Sequence, residues 1–117
     1  MRILISYEDA YRVYSDALER ALRGLRPDAE VASCALAEIG EQLKGFDPHL
    51  VVSSRPNTVD PGGRAAWYTL SPEPDGSSEA CLGGRRSPRL NPPLEELLSF
   101  IEEAEALVRS GRELGGC

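Results

Sequence analysis

Ile3, Leu4 and Ile5 stand together near the start of the chain, an apolar run with no polar position inside it. Such a run over residues 2–6 predicts a strand buried on both faces. From residue 9 the period changes. Ala10, Val13, Tyr14, Ala17, Leu18, Ala21, Leu22 and Leu25 recur at steps of three and four, which predicts an amphipathic helix ended by Gly24 and Pro27. Residues 30–34 form a short second strand. Leu36, Ile39, Leu43 and Phe46 mark a second helix that runs to Gly45, and Asp47-Pro48 turns the chain into a third strand over 49–54, rich in β-branched residues.

This β-α-β-α-β order with short connections predicts parallel strands joined by right-handed crossovers. The second half loses the rhythm. Residues 55–63 hold two prolines, an asparagine and Gly62-Gly63, and read as loop. A fourth strand is expected over 65–70, a loop over 71–78 and a fifth strand over 79–82. Gly83-Gly84-Arg85-Arg86 and the residues up to Leu90 read as loop. Asn91 and Pro92 suit the cap and first position of a helix over 93–110, with Leu94, Leu97, Leu98, Ile101, Ala104 and Val108 on its buried face. Phe100 and Leu107 fall outside that stripe, and Gly111 ends the helix. The expected organisation is one domain over 1–110 and a flexible tail over 111–117.

Composition narrows the class. The chain has 117 residues, one domain's worth, and 41% hydrophobic residues, enough for a core. No apolar run reaches the roughly 18–20 residues of a membrane span, and the N-terminal apolar run is too short for a signal peptide, so a cytoplasmic protein is expected. The net charge of −6 argues against nucleic acid and membrane surfaces as partners. Cys34, Cys81 and Cys117 make an odd number with no C-x-x-C pair, so neither a disulfide framework nor a zinc site is expected. Cys34 and Cys81 read as small buried hydrophobes. Cys117 reads as part of the mobile tail and lacks a prenylation box.

The order of elements, and three stretches within it, resemble the receiver domain of two-component response regulators. Arg2-Ile3-Leu4-Ile5 is similar to the receiver's first strand, with Ser6, Tyr7, Glu8 and Asp9 where its acidic residues follow. Pro48-His49-Leu50-Val51-Val52-Ser53-Ser54 is similar to its third strand, and Asn91-Pro92-Pro93-Leu94-Glu95-Glu96-Leu97-Leu98 to the opening of its last helix. The resemblance spans nearly the whole chain. It implies an α/β fold, a three-layer flavodoxin-like parallel sheet of strand order 2-1-3-4-5, with loops where helices would follow strands 3 and 4.

It also implies a loss of chemistry. Ser54 stands where a receiver carries its phosphoacceptor aspartate, and a serine hydroxyl forms no acyl phosphate. Glu8, with Asp9, is what remains of the acidic set that would hold Mg²⁺. Gly83, Gly84 or Arg85 stands where the lysine after the fifth strand is expected. The degenerate site therefore comprises Tyr7, Glu8, Asp9, Ser54 and Gly84. The expected function is a non-catalytic pseudo-receiver, an interaction or regulatory module with no cofactor and no enzymatic activity. Two missing helices would bare apolar residues of strands 4 and 5, with Trp67, Leu70 and Leu82 as the candidate interface. Loops, a protein partner or a second copy in a homodimer would have to cover them.

In doubly wound sheets ligands bind beyond the carboxyl ends of the strands. Two readings of that edge stay open. In one, Arg55 or Arg85 pairs with Glu8 or Asp9 and takes the place of a metal ion. In the other, Arg55, Asn57, Arg64, Gly83, Gly84, Arg85 and Arg86 bind an anion such as a phosphate or nucleotide. The lone histidine, His49, begins its strand at the opposite end and has no nucleophile in reach. Glu95-Glu96 suits a helix dipole rather than hydrolysis.

Overall fold

A computed structural model of the chain describes residues 1–57, 63–72, 77–90 and 94–117. Strand β1 (Arg2–Tyr7) leads through one 3-10 turn into helix α1 (Arg12–Leu25). Strand β2 (Glu30–Ala35), helix α2 (Ile39–Gly45), β3 (Leu50–Ser53) and β4 (Ala66–Thr69) follow, then β5 (Ser77–Leu82), β6 (Arg85–Leu90) and helix α3 (Leu94–Arg109). Asn91, Pro92 and Pro93 lie outside the described residues, as do the centres of the two loops that flank β4.

The domain is α/β with one six-stranded sheet of order β2-β1-β3-β4-β5-β6. Strands β2, β1, β3 and β4 are parallel, with Ile5 opposite both Ser33 and Val52. The all-parallel expectation needs correction at β5, which runs antiparallel to β4, and at β6, a strand where loop was expected. The cause at β6 is the Gly83-Gly84 pair, which joins it to β5. Both residues have positive φ, at 59° and 79°. Two such residues make the tight turn whose twist matches a hairpin. They fold residues 85–90 back onto β5 with Leu82 opposite Arg85. β6 forms an edge of the sheet, where Pro88 is tolerated despite having no N–H to donate.

Side chains alternate across the sheet. One face carries Ile3, Ile5, Leu50, Val52, Tyr68 and Ala80 against Leu18 and Leu22 of α1 and Leu97, Phe100, Ile101 and Ala104 of α3. The other carries Leu4, Val51 and Trp67 against Ile39 of α2, with Leu43 and Phe46 partly buried beside them. Several helix expectations shift by a position. Phe100 is 2% exposed, stacking edge-on against Tyr68 with ring centroids 4.9 Å apart. Leu94 and Val108, expected in the core, lie exposed at the ends of α3, because the buried line is Leu97, Phe100, Ile101 and Ala104. Val13 and Leu25 of α1 are exposed as well, since that helix meets the sheet through Ser15, Leu18 and Leu22.

The tail also differs from the expectation of a flexible segment. Leu114 is buried in the larger core cluster, and Cys117 forms a disulfide with Cys81 of β5. Cys81 is accordingly neither free nor a mere hydrophobic filler. The pairing depends on α3 returning the chain to the β5–β6 turn, which no cysteine count or spacing encodes.

Candidate functional site

The parallel β1–β3 register sets Ser6 opposite Ser53, so the residues just past each strand meet at the carboxyl edge. There Ser54 donates its hydroxyl proton to Glu8 Oε2 at 2.8 Å, and Arg55 Nε donates to Glu8 Oε1 at 2.9 Å. Both oxygens of the carboxylate are therefore engaged. Partial burial pushes the Glu8 carboxyl up, but the bonds from Ser54, its own backbone N–H and Arg55, with the Arg55 charge, outweigh it. The net displacement is below the usual carboxylate range. A carboxylate held this way is a weak proton acceptor, so it is poorly placed to activate the Ser54 hydroxyl as a nucleophile.

Around this cluster the edge is fixed by burial. Tyr7 donates its hydroxyl to the Leu70 carbonyl at 2.7 Å, and burial drives its phenol far above the ordinary range. The Arg55 N–H donates to the buried Ser53 Oγ. Asp9 opens the 3-10 turn and lines, with Glu8, Arg12, Asp16, Cys34 and Glu38, a polar pocket of about 220 Å³ between β1 and β2. Among the described residues no group of three or more His, Cys, Asp or Glu side chains is arranged to hold a metal ion.

The remaining predicted site residues are dispersed. Because β5 is antiparallel, the Gly83–Gly84 turn lies at the amino edge of the parallel strands, remote from Glu8 and Ser54. Gly84 thus does not join Tyr7, Glu8, Asp9 and Ser54, with which it was expected to form one site. The N–H groups of Gly83 and Gly84 donate to the Leu114 and Gly115 carbonyls at 2.7 and 2.8 Å, so they are spent on the tail rather than offered to an anion. Arg64 pairs with Asp47 at 2.7 Å before β3. Arg86 reaches Glu79 at 3.6 Å and donates to the Cys117 carbonyl at 3.2 Å. Arg85 is exposed beside the hairpin turn. Of the four arginines, only Arg55 joins the carboxyl-edge cluster.

The candidate interface divides between the two faces. Trp67 is 4% exposed and donates Nε1–H to the Arg55 carbonyl at 2.8 Å. Leu70 and Leu82 belong to the opposite face, packed in or against the α1–α3 core, and present no joint surface with Trp67. Beside Trp67 lies a pocket of about 280 Å³, bordered by Asn57, Thr69, Glu79, Arg86 and the Gly116–Cys117 backbone. Sequence reasoning missed the tail that forms this wall. Its nearest signals were the Gly115-Gly116 pair, which permits close approach, and a third cysteine beyond the last helix.

His49, at the other end of β3, accepts a hydrogen bond on Nδ1 from the Arg2 N–H at 2.9 Å. Burial, then the charge of Arg2, lower its pKa, with Asp47 opposing. Set beside known protein families, curated proteins and solved structures, the chain matches none.

Proposed function

We propose that this chain is a receiver-like, flavodoxin-like module that has lost phosphoryl chemistry and works in the cytoplasm by binding another protein or a second copy of itself. The observation that carries this reading is the occupation of Glu8. At the position where a receiver would gather carboxylates around a metal ion, one carboxylate is tied to a serine hydroxyl and a guanidinium instead. The four parallel strands of order 2-1-3-4, with α1 and α2 on opposite faces, are in keeping with it. The antiparallel β5–β6 hairpin is where it departs from a receiver, and that departure removes any cation after the fifth strand from the site.

The test is incubation with Mg²⁺ and acetyl phosphate, followed by intact mass and amide chemical shifts. The reading predicts an unchanged mass and an unchanged spectrum at Glu8, Ser54 and Arg55. A stable phosphoryl adduct on Asp9, or on another carboxylate of that edge, contradicts it. Sedimentation over a wide concentration range then decides the partner: a concentration-independent monomer leaves another protein as the ligand.

A further inference from the structure

We infer that the Cys81–Cys117 disulfide is a redox-operated strap: closed, it holds the end of the segment after α3 beside Trp67, and reduced, it lets that segment go while the domain stays folded. This inference stands apart from the receiver-like reading.

Three observations carry it. The strap has a defined seat. The Gly83 and Gly84 N–H groups donate to Leu114 and Gly115, and the Gly116 N–H donates to the Gly63 carbonyl at 3.1 Å. A Cβ on Gly115 would collide with the Gly63 and Ala65 carbonyl oxygens, so the tail lies in direct backbone apposition to the entry of β4. Next, the seat is weakly held apart from the bond. It comprises those hydrogen bonds, the Arg86 contact and the single buried side chain of Leu114, set against the entropy of ordering a segment that contains Gly111, Gly115 and Gly116. Finally, the bond lies outside the main core. Cys81 and Cys117 are both partly exposed, and the fully buried residues of β1, β3 and α3 pack without them.

The step balances with a dithiol reductant. A thiolate of the reductant attacks one sulfur, forms a mixed disulfide and expels the other cysteine as a thiolate, which takes a proton from water. The reductant's second thiol then resolves the mixed disulfide and releases the remaining cysteine. The protein disulfide gains two electrons and two protons, and the dithiol becomes a disulfide. Glutathione disulfide, a two-electron oxidant, restores the strap.

The test follows acrylamide quenching of Trp67, the only tryptophan, in the full chain. In the oxidised protein Trp67 is shielded. Dithiothreitol is expected to raise the quenching constant several-fold, with the far-ultraviolet circular dichroism unchanged, and glutathione disulfide is expected to reverse it. Cys117→Ser should show the high quenching without reductant. Unchanged quenching in both the reduced protein and Cys117→Ser overturns the inference, because the tail then stays seated without the bond. Loss of secondary structure on reduction overturns it as well, because the disulfide is then a staple of the whole fold.

Discussion

Tyr68 and Trp67 are neighbours in β4 and point to opposite faces of the sheet. Tyr68 lies beneath Phe100 in a core built from two long helices and five strands. Trp67 lies beside a seven-residue helix, a loop carbonyl and a tail fastened by a disulfide. On the first face apolar area removed from water does the holding, and it is spread over many side chains. On the second face few apolar side chains are available, and a covalent link with a handful of backbone bonds closes what α2 leaves open. A sheet face that carries only one seven-residue helix can thus be covered in part by a strap of main chain, provided something offsets the strap's conformational entropy.

The largest expected effect is on the first face. Phe100→Ala removes the ring that stacks on Tyr68 and should cost about 3–5 kcal/mol in urea unfolding. A loss under about 1 kcal/mol would mean that α3 is not a principal wall of the core. Next is the strap. Cys81→Ser opens a loop closed across 36 residues and should cost about 2–4 kcal/mol under oxidising conditions. The same substitution in dithiothreitol should cost far less, and equal costs in both conditions would break the comparison.

A smaller, pH-dependent effect is expected at the amino edge. His49 is held neutral in the fold by burial and the Arg2 charge, so its folded pKa lies below the unfolded value of about 6.5. As pH falls through that value the unfolded chain takes up the proton first, and stability declines toward the lower folded pKa. Between about pH 7 and 5.5 the natural protein should lose stability and His49→Gln should lose less, as read by thermal unfolding. A parallel decline in both would remove His49 as the cause. The smallest effect belongs to the carboxyl edge. Arg55 is largely exposed, so Arg55→Ala should change stability by about 1 kcal/mol or less. Its clearer sign is a rise in the Glu8 pKa, followed by carboxyl chemical shifts against pH.

Much of the first face can be read from the chain before any coordinates. Ile3-Leu4-Ile5 and Leu50-Val51-Val52 admit little but buried parallel strands, which brings the residues after β1 and β3 to one edge, while the choice of Arg55 over Arg85 and of Glu8 over Asp9 stays open until the fold is seen. The direction of β5 cannot be read from its own residues, because the two-residue alternation of a strand is the same whichever way it runs. The Gly83-Gly84 pair, whose two-residue length fits a hairpin better than an open loop, informs on β6 alone. β6 hides for a different reason. An edge strand bearing Arg85, Arg86 and Pro88 has no need of apolar alternation, so its sequence resembles a loop. Phe100 was obscured by a one-position rotation of the stripe on α3, a shift that periodicity alone does not resolve. The strap depends on a contact between residues 36 apart in the chain, set by how α3 ends, and local pattern is silent on that.

Site-resolved amide exchange tests the contrast between the two faces most directly, comparing the oxidised protein with Cys117→Ser. Gly83 and Gly84, whose N–H groups are bonded to the tail, are expected to lose protection by about tenfold or more, while Ile5, Val52 and Tyr68 in the other core keep theirs. Equal loss at both sets, or protection retained at Gly83 and Gly84, would contradict that contrast.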